Sequence, residues 1–351
     1  MIDAKKMTME RATQPTGTTP VLEAATKPYE GLTPDLILDA VESQGYRCDG
    51  RLLALNSYEN RVYQVGLEEA QPLVAKFYRA GRWSNEAILE EHAFTQELTE
   101  HEIPVVPPLG APDKTTLHEH QGFRFALYQR CGGRAPELDN LDTLEWLGRF
   151  IGRIHAIAAA RPFLHRPTLT IASHGEVPSQ FLLERNFIPA DLEAAYSSTV
   201  MDLLTAVRAC FERAGDVRKI RLHGDCHGGN VLWTDAGPHF VDFDDCMVGP
   251  ATQDLWMLLS GSREEMTVQL SAVMEGYSEF AYFNSAELHL IEALRTLRMI
   301  HYAGWLARRW DDPAFPLNFP WFNTQRYWQD HVLSLREQLA AMQEPPLQIS
   351  G

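Results

Sequence analysis

The sequence has little that points to a membrane or to secretion. It contains no run of about 18 consecutive apolar residues, which a membrane-spanning helix needs. Its amino-terminal residues lack the apolar core of a signal peptide. We therefore expect a soluble, cytoplasmic protein with no membrane partner.

Cysteine and basic residues are also scarce. The five cysteines are odd in number and form no C-x-x-C pair, so reduced thiols are the simplest interpretation. Lys and Arg number 31 against 47 Asp and Glu, a net charge of −16 that argues against non-specific nucleic-acid binding. The length of 351 residues and the apolar content of 45% leave room for two globular domains.

The most informative segment is residues 223–230, His-Gly-Asp-Cys-His-Gly-Gly-Asn, followed by residues 241–245, Val-Asp-Phe-Asp-Asp. The first has the H-x-D-x-x-x-x-N spacing of a kinase catalytic loop, and the second supplies a D-F pair at a kinase-like distance. In phosphoryl transfer, Asp225 would accept the proton of the acceptor hydroxyl. Asn230 and Asp242 would ligate Mg²⁺ on the ATP phosphates, which also makes Asp242 a catalytic residue.

The residues between the two motifs predict a β-hairpin. A short apolar run after Asn230 leads to a turn cluster, and strand-like residues then reach Asp242, so both ligands would lie at one end of the ribbon. Two other interpretations remain. The polar residues could simply form turns and caps, or His223, Asp225 and His227 could alternate on a strand and bind Zn²⁺ for hydrolysis.

The rest of the chain predicts an α+β, bilobal, protein-kinase-like fold. We expect a disordered tail over residues 1–30, a small β-rich lobe over 31–130 and a larger α-helical lobe over 131–345. The predicted strands of the small lobe are 52–55, 61–66, 72–78, 115–118 and 123–129. The segment Cys131-Gly132-Gly133 would be the hinge between the lobes.

The small lobe also offers residues for binding ATP. Lys76 lies in a strand resembling the V-A-I-K pattern and would pair with the phosphates. Glu91 lies on the buried stripe of the following helix and needs a partner, for which Lys76 is the best candidate. Glu90 is the alternative.

Three further residues are candidates for contact with the nucleotide. The loop after the first strand lacks G-x-G-x-x-G, but its backbone amides and the Ser57 hydroxyl could reach the phosphates; an ordinary polar turn is the alternative. Gln129 and Cys131, at the hinge, complete the predicted nucleotide-binding set. Elsewhere, Asp254 could cap a helix or brace the catalytic loop, and we favour the brace.

The motifs resemble those of the aminoglycoside phosphotransferase and choline kinase superfamily, including a Gly-Pro-x-x-x-Asp-Leu continuation at residues 249–255. Residues 55–64, 76–79 and 88–92 look like one branch, the bacterial stress response kinase A family. The resemblance covers about residues 30–340. It implies the roles given above for Asp225, Asn230, Asp242 and Ser57. It also implies a cytoplasmic, monomeric Ser/Thr protein kinase that acts in envelope and oxidative stress.

The predicted function is therefore an ATP- and Mg²⁺-dependent phosphotransferase that acts on Ser and Thr of proteins, including its own chain. One alternative is a kinase for a small molecule such as an aminoglycoside, an amino alcohol or a sugar. Another is a nucleotide-binding pseudokinase that acts as a scaffold. Gly224 replaces the Arg of the H-R-D motif, so we expect activity without a phosphorylated activation loop.

Overall fold

The structure, a computed structural model, describes residues 28–111 and 113–349. Most of the predicted tail, residues 1–27, lies outside the described residues. At its end, the Tyr29 hydroxyl donates to the backbone oxygens of Glu59 and Phe77, at 3.0 and 3.3 Å. Contacts with the small lobe thus begin before residue 31.

The small lobe is a five-stranded antiparallel sheet flanked by two helices. The strands are β1 (Cys48–Ala54), β2 (Arg61–Leu67), β3 (Ala70–Phe77), β4 (His118–His120) and β5 (Phe123–Gln129), in the order β1-β2-β3-β5-β4. Helix α1 (Pro34–Glu42) begins after its cap Thr33, and α2 (Asn85–Glu100) begins after Ser84. All five strands were predicted, although β4 begins later than expected.

The large lobe is mostly helical. Its helices are α3 (Leu141–Ala158), α4 (Val177–Glu184), α5 (Glu193–Ala214), α6 (Thr252–Trp256), α7 (Arg263–Tyr277), α8 (Ile291–Arg308), α9 (Ala314–Asn318) and α10 (Gln325–Ala341). Their apolar faces form one extended core that also contains Phe94 and Leu98 of α2. The predicted α+β, bilobal, kinase-like fold is therefore confirmed.

Two small antiparallel ribbons interrupt these helices and carry the conspicuous motifs. Strand β6 (Lys219–Leu222) pairs with β9 (Met247–Pro250), and β7 (Val231–Thr234) pairs with β8 (Gly237–Phe240). The predicted hairpin is thus present. The Val241 amide donates to the Asn230 carbonyl at 3.0 Å, which holds the two ends of the β7–β8 ribbon together.

No helix in the described part of the chain is long and apolar enough to cross a membrane. All five cysteines are free thiols, and three of them, Cys210, Cys226 and Cys246, are buried.

Candidate active site

Asp254, near the start of α6, holds the backbone of the catalytic loop. One carboxylate oxygen accepts from the Gly224 amide at 2.8 Å, and the other accepts from the His223 amide at 2.8 Å and lies 3.1 Å from His155 Nε2. Asp254 and His155 are each 1% exposed, so water cannot replace these contacts. The prediction that Asp254 braces the loop is confirmed, and His155 is a core histidine with both ring nitrogens engaged.

His223 also has a structural role, and this role leaves neither of its ring nitrogens free to bind zinc. Its Nε2 donates to the Val241 carbonyl at 2.9 Å, and its Nδ1 accepts from the Asp225 amide at 3.4 Å. With both ring nitrogens bound to the backbone, His223 cannot ligate a metal. Among the residues that the structure describes, no three His, Cys, Asp or Glu side chains form a metal-binding group. His223, Asp225 and His227 therefore do not form the zinc site that the hydrolase alternative requires.

Asp225 lies between two basic side chains. Its Oδ2 is 3.4 Å from His227 Nε2, and its Oδ1 forms an ion pair with Arg298 of α8. Burial raises the pKa of Asp225, but the hydrogen bond from His227 and the charge of Arg298 outweigh burial and hold the pKa below its usual range. Asp225 is therefore an anion at neutral pH. Its Oδ1 is buried, and Arg298 is the basic side chain paired with it.

Asn230 and Asp242 lie at the same, open end of the hairpin, where the Val241 amide bonds to the Asn230 carbonyl. The Asn230 side-chain amide donates to the Asp225 carbonyl at 2.9 Å, which leaves its own side-chain oxygen as a possible ligand. Asp242 has left-handed backbone angles, φ 60° and ψ 59°, and its side chain is 58% exposed. These two oxygen donors fit a hard divalent cation such as Mg²⁺ and are a poor match for soft-ligand metals.

Lys76 of β3 lies among three carboxylates. Its Nζ is 3.6 Å from Glu91, 3.5 Å from Asp242 and 3.0 Å from Asp244. Burial lowers the pKa of Lys76, but the three acids hold it well above its usual value, so the ammonium stays charged. The predicted pairing with Glu91 is thus present.

Glu90, the alternative partner of Lys76, binds elsewhere. It accepts hydrogen bonds from the backbone amides of Leu164, His165 and Arg166, at 2.5, 2.7 and 2.9 Å. These three bonds fix the backbone of residues 164–166 of the large lobe to α2 of the small lobe. Glu90 and Glu91 therefore hold α2 to two different parts of the molecule.

The predicted phosphate loop, residues 55–61, reaches the large lobe. The Ser57 hydroxyl donates to the Asn60 carbonyl within the loop at 3.2 Å. The Tyr58 ring packs on Phe319 at 4.7 Å between centroids, and Glu59 accepts from Trp305 Nε1 at 2.7 Å. The loop thus connects the lobes, and Ser57 is held by an internal contact.

The hinge residues lie where the sequence placed them. Gln129 is the last residue of β5, exposed and paired with Leu73 of β3. Cys131 lies two residues further along the chain, is half-buried, and has a thiol pKa that burial raises. Their roles in binding a nucleotide stay predictions.

Comparison with known proteins identifies the family. A sequence model of the phosphotransferase enzyme family matches residues 51–291. Stress response kinase A of Escherichia coli is 46% identical over 322 residues, which cover 92% of this chain and 97% of that protein. The same values hold for a protein of Salmonella typhimurium named serine/threonine protein kinase RdoA. The chain belongs to the stress response kinase A family of phosphotransferases.

A solved structure confirms the kinase fold of this family member. The amicoumacin kinase hAmiN in complex with AMP-PNP, Ca²⁺ and Ami superposes with a TM-score of 0.67 at 19% identity. The match covers 88% of this chain and 94% of that one. At this identity the likeness concerns the fold alone.

Three charged residues of this stress response kinase escaped the sequence interpretation: Asp244, Arg82 and Arg298. Buried Asp244 accepts from Lys76 and from Asn60 Nδ2, the latter at 3.0 Å, and it pairs with Arg82. Burial raises the pKa of Asp244, but the charges of Arg82 and Lys76 bring it well below its usual range. Asp244 was visible within the 241–245 motif, whereas nothing local marks Arg82 or Arg298.

Proposed function

We propose that this phosphotransferase is an ATP- and Mg²⁺-dependent Ser/Thr protein kinase with Asp225 as its proton acceptor. One observation supports the proposal most strongly. Ionised Asp225, the Asn230 amide and Asp242 converge at one end of the β7–β8 hairpin, and Lys76 lies 3.5 Å from Asp242. A base, two oxygen ligands and a phosphate-binding cation are the parts that phosphoryl transfer requires.

In the proposed reaction, the acceptor hydroxyl hydrogen-bonds to Asp225 and its oxygen attacks the γ-phosphorus of ATP. The new O–P bond forms as the bond between the γ-phosphorus and the β–γ bridging oxygen breaks, and ADP leaves with that electron pair. The hydroxyl proton passes to Asp225. The low pKa of Asp225 keeps its carboxylate ionised in the free enzyme, so it can accept a hydrogen bond from the acceptor hydroxyl and orient it.

Asn230 and Asp242 would hold the Mg²⁺ ion through their side-chain oxygens. When bound, Mg²⁺ neutralises charge on the triphosphate that develops during transfer. Lys76 would release one of its carboxylates and turn to the α- and β-phosphates. Glu91, on the other side of Lys76 at 3.6 Å, keeps the ammonium in place during this exchange.

The choice of a protein acceptor rests on the relatives, one of which is named a serine/threonine protein kinase. Autophosphorylation belongs to the same proposal. The candidate acceptors Thr8, Thr13, Thr16, Thr18 and Thr19 lie outside the described residues. A cytoplasmic location is also part of the proposal, and five free thiols are consistent with it.

The test uses γ-labelled ATP, Mg²⁺ and the full chain with protein, choline and aminoglycoside acceptors, followed by mass spectrometry of the products. We expect phosphate on Ser or Thr of proteins. Asp225→Asn should lower the rate by roughly 10²–10⁴-fold while ATP still binds. Asp235→Asn, in the exposed hairpin turn, is the matched control and should keep wild-type activity.

Three results would contradict the proposal. Wild-type turnover by Asp225→Asn would show that Asp225 is not the proton acceptor. Activity that persists in the presence of a metal chelator would show that the reaction does not require Mg²⁺. Rapid phosphorylation of a small alcohol with no protein labelling would make the chain a small-molecule kinase.

A further inference from the structure

One face of α8 borders the catalytic base. This face begins at Arg298 and continues with residues three, four and seven positions later, which are His301, Tyr302 and Trp305. Residues with these spacings lie on the same side of a helix. Arg298 forms the ion pair with Asp225 at one end of this face, and Trp305 binds Glu59 of the phosphate loop at the other. An acceptor whose hydroxyl reaches Asp225 must therefore bring its neighbouring groups against Arg298.

Arg298 differs from other arginines of this region in its partners. Arg295 pairs with Glu292 at 3.1 Å, and Arg309 pairs with Glu59. Within the described part of the chain, the one carboxylate within 4.0 Å of Arg298 is Asp225 itself. The Arg298 side chain is 38% exposed, so a ligand can reach its remaining N–H donors.

Apart from its ion pair with Asp225, the side chains next to Arg298 add no negative charge. The tilted rings of His174 and His301 lie beside it with their centroids 4.6 Å apart, and burial lowers their pKa values to about 4 and about 3. Both are therefore neutral at pH 7. His227, on the other side of the base, lies 3.4 Å from Asp225 Oδ2 and offers no negative charge.

We propose that Arg298 selects acceptors that carry an anionic group, such as a Glu side chain, next to the hydroxyl to be phosphorylated. This inference rests on the proposed protein kinase function and names its substrate class. A carboxylate of the acceptor can pair with the exposed N–H groups of Arg298 while the hydroxyl binds Asp225. An acceptor with an ammonium at that place would meet a guanidinium of like charge.

The local charge thus opposes the charge of the whole chain. A net charge of −16 attracts polycations from a distance. Where the acceptor faces Arg298, however, an ammonium group of an aminoglycoside or an amino alcohol meets a charge of the same sign. Arg298 lies next to the place where the acceptor hydroxyl binds for transfer. Its preference between acceptors should therefore appear in kcat/KM.

The test is a set of equal-length Ser peptides in which both residues flanking Ser are Glu, Gln or Lys, with an aminoglycoside and choline assayed in parallel. For the wild-type chain, kcat/KM should be roughly tenfold or more higher for Glu than for Lys peptides. Arg298→Gln should remove most of this ratio, and Arg298→Lys should keep part of it. Arg326→Gln, an exposed arginine of α10, should leave the ratio unchanged.

The outcomes separate this inference from the function on which it rests. Peptide phosphorylation that is independent of flanking charge, or an Arg298→Gln variant that is slower by the same factor on every peptide, would overturn the inference and leave the protein kinase function intact. Phosphorylation of choline or the aminoglycoside without any peptide or protein product would overturn both.

Discussion

Gly224 separates His223 from Asp225 at the place where protein kinases have arginine. Its φ is +86°, and a Cβ there would lie 2.2 Å from the Asp245 carbonyl oxygen. Any side chain would therefore separate the catalytic loop from the segment that carries Asp242. This explains in physical terms why the H-R-D pattern is absent.

Gly224→Ala should destabilise the chain by about 3 kcal/mol or more and abolish transfer, because strain from positive φ adds to a clash with backbone. Gly45→Ala is the matched control, since Gly45 has φ +87° and nothing within 4 Å of its Cβ position. It should cost only about 1–2 kcal/mol. Urea unfolding of both variants gives the comparison, and equal losses would show that the contact with Asp245 is unimportant.

At the scale of elements, α3 and α7 pack through three glycines. A Cβ on Gly148 would lie 2.0 Å from the Val273 carbonyl oxygen, and one on Gly276 would lie 2.0 Å from that of Glu145. Gly152 is similarly close to Tyr277. The two helix backbones therefore touch, which brings His155 of α3 within reach of Tyr277 and Asp254. The close packing supports the brace of the catalytic loop.

Gly148→Ala tests this packing. Helix propensity alone would make Ala more stable than Gly by about 1 kcal/mol. Because the helices must separate, we expect instead a loss of about 2–4 kcal/mol in the free energy of unfolding. Denaturant unfolding decides between the two signs, and a gain in stability would exclude a close approach of α3 and α7.

At the scale of the whole molecule, Glu59 joins the two lobes. Its carboxylate is 3.7 Å from Arg79 and 3.8 Å from Arg82 of the small lobe, and it binds Trp305 and pairs with Arg309 of the large lobe. Opening the cleft for a nucleotide would break these contacts between the lobes.

Arg309→Gln should therefore tighten the binding of Mg·ADP several-fold, since a larger fraction of the molecules would be open. Titration calorimetry measures this dissociation constant, with Arg326→Gln as the control. Weaker binding by Arg309→Gln would mean that the contact of Glu59 with the large lobe prepares the phosphate loop for the nucleotide.

Buried histidines make the whole fold sensitive to acid. Burial lowers the pKa of His331 from 6.5 to about 4, and His92 and His174 shift in the same direction. The unfolded chain binds these protons at a higher pH than the folded chain does. The contribution of these neutral histidines to the free energy of unfolding is therefore fully present above about pH 6.5, and it is lost as pH falls towards 4.

His331→Gln removes one of these titrations. Between pH 7.5 and 5 it should lose about 1–2 kcal/mol less unfolding free energy than the wild type. Urea unfolding at the two pH values measures the difference. An identical loss for both proteins would show that His331 is protonated in the folded chain.

The kinase-like lobes and most of the site were predictable because their determinants are local. The distance from Asp225 to Asn230 is the length of one loop, and a short hairpin returns the chain to Asp242, so spacing alone placed all three together. The position of Glu91 followed from helix periodicity, and its burial called for a cation on the adjacent strand.

Tertiary structure alone decided the surroundings of these residues. Arg298 is 73 residues from Asp225 and Arg82 is 162 from Asp244, and neither lies in a motif. Their places depend on how α8 and the small lobe dock against the catalytic loop. Glu59, Trp305 and Arg309 meet for the same reason. Local spacing therefore determined which residues can transfer a phosphoryl group, and the packing of distant elements determined the charge around the base and the contact between the lobes.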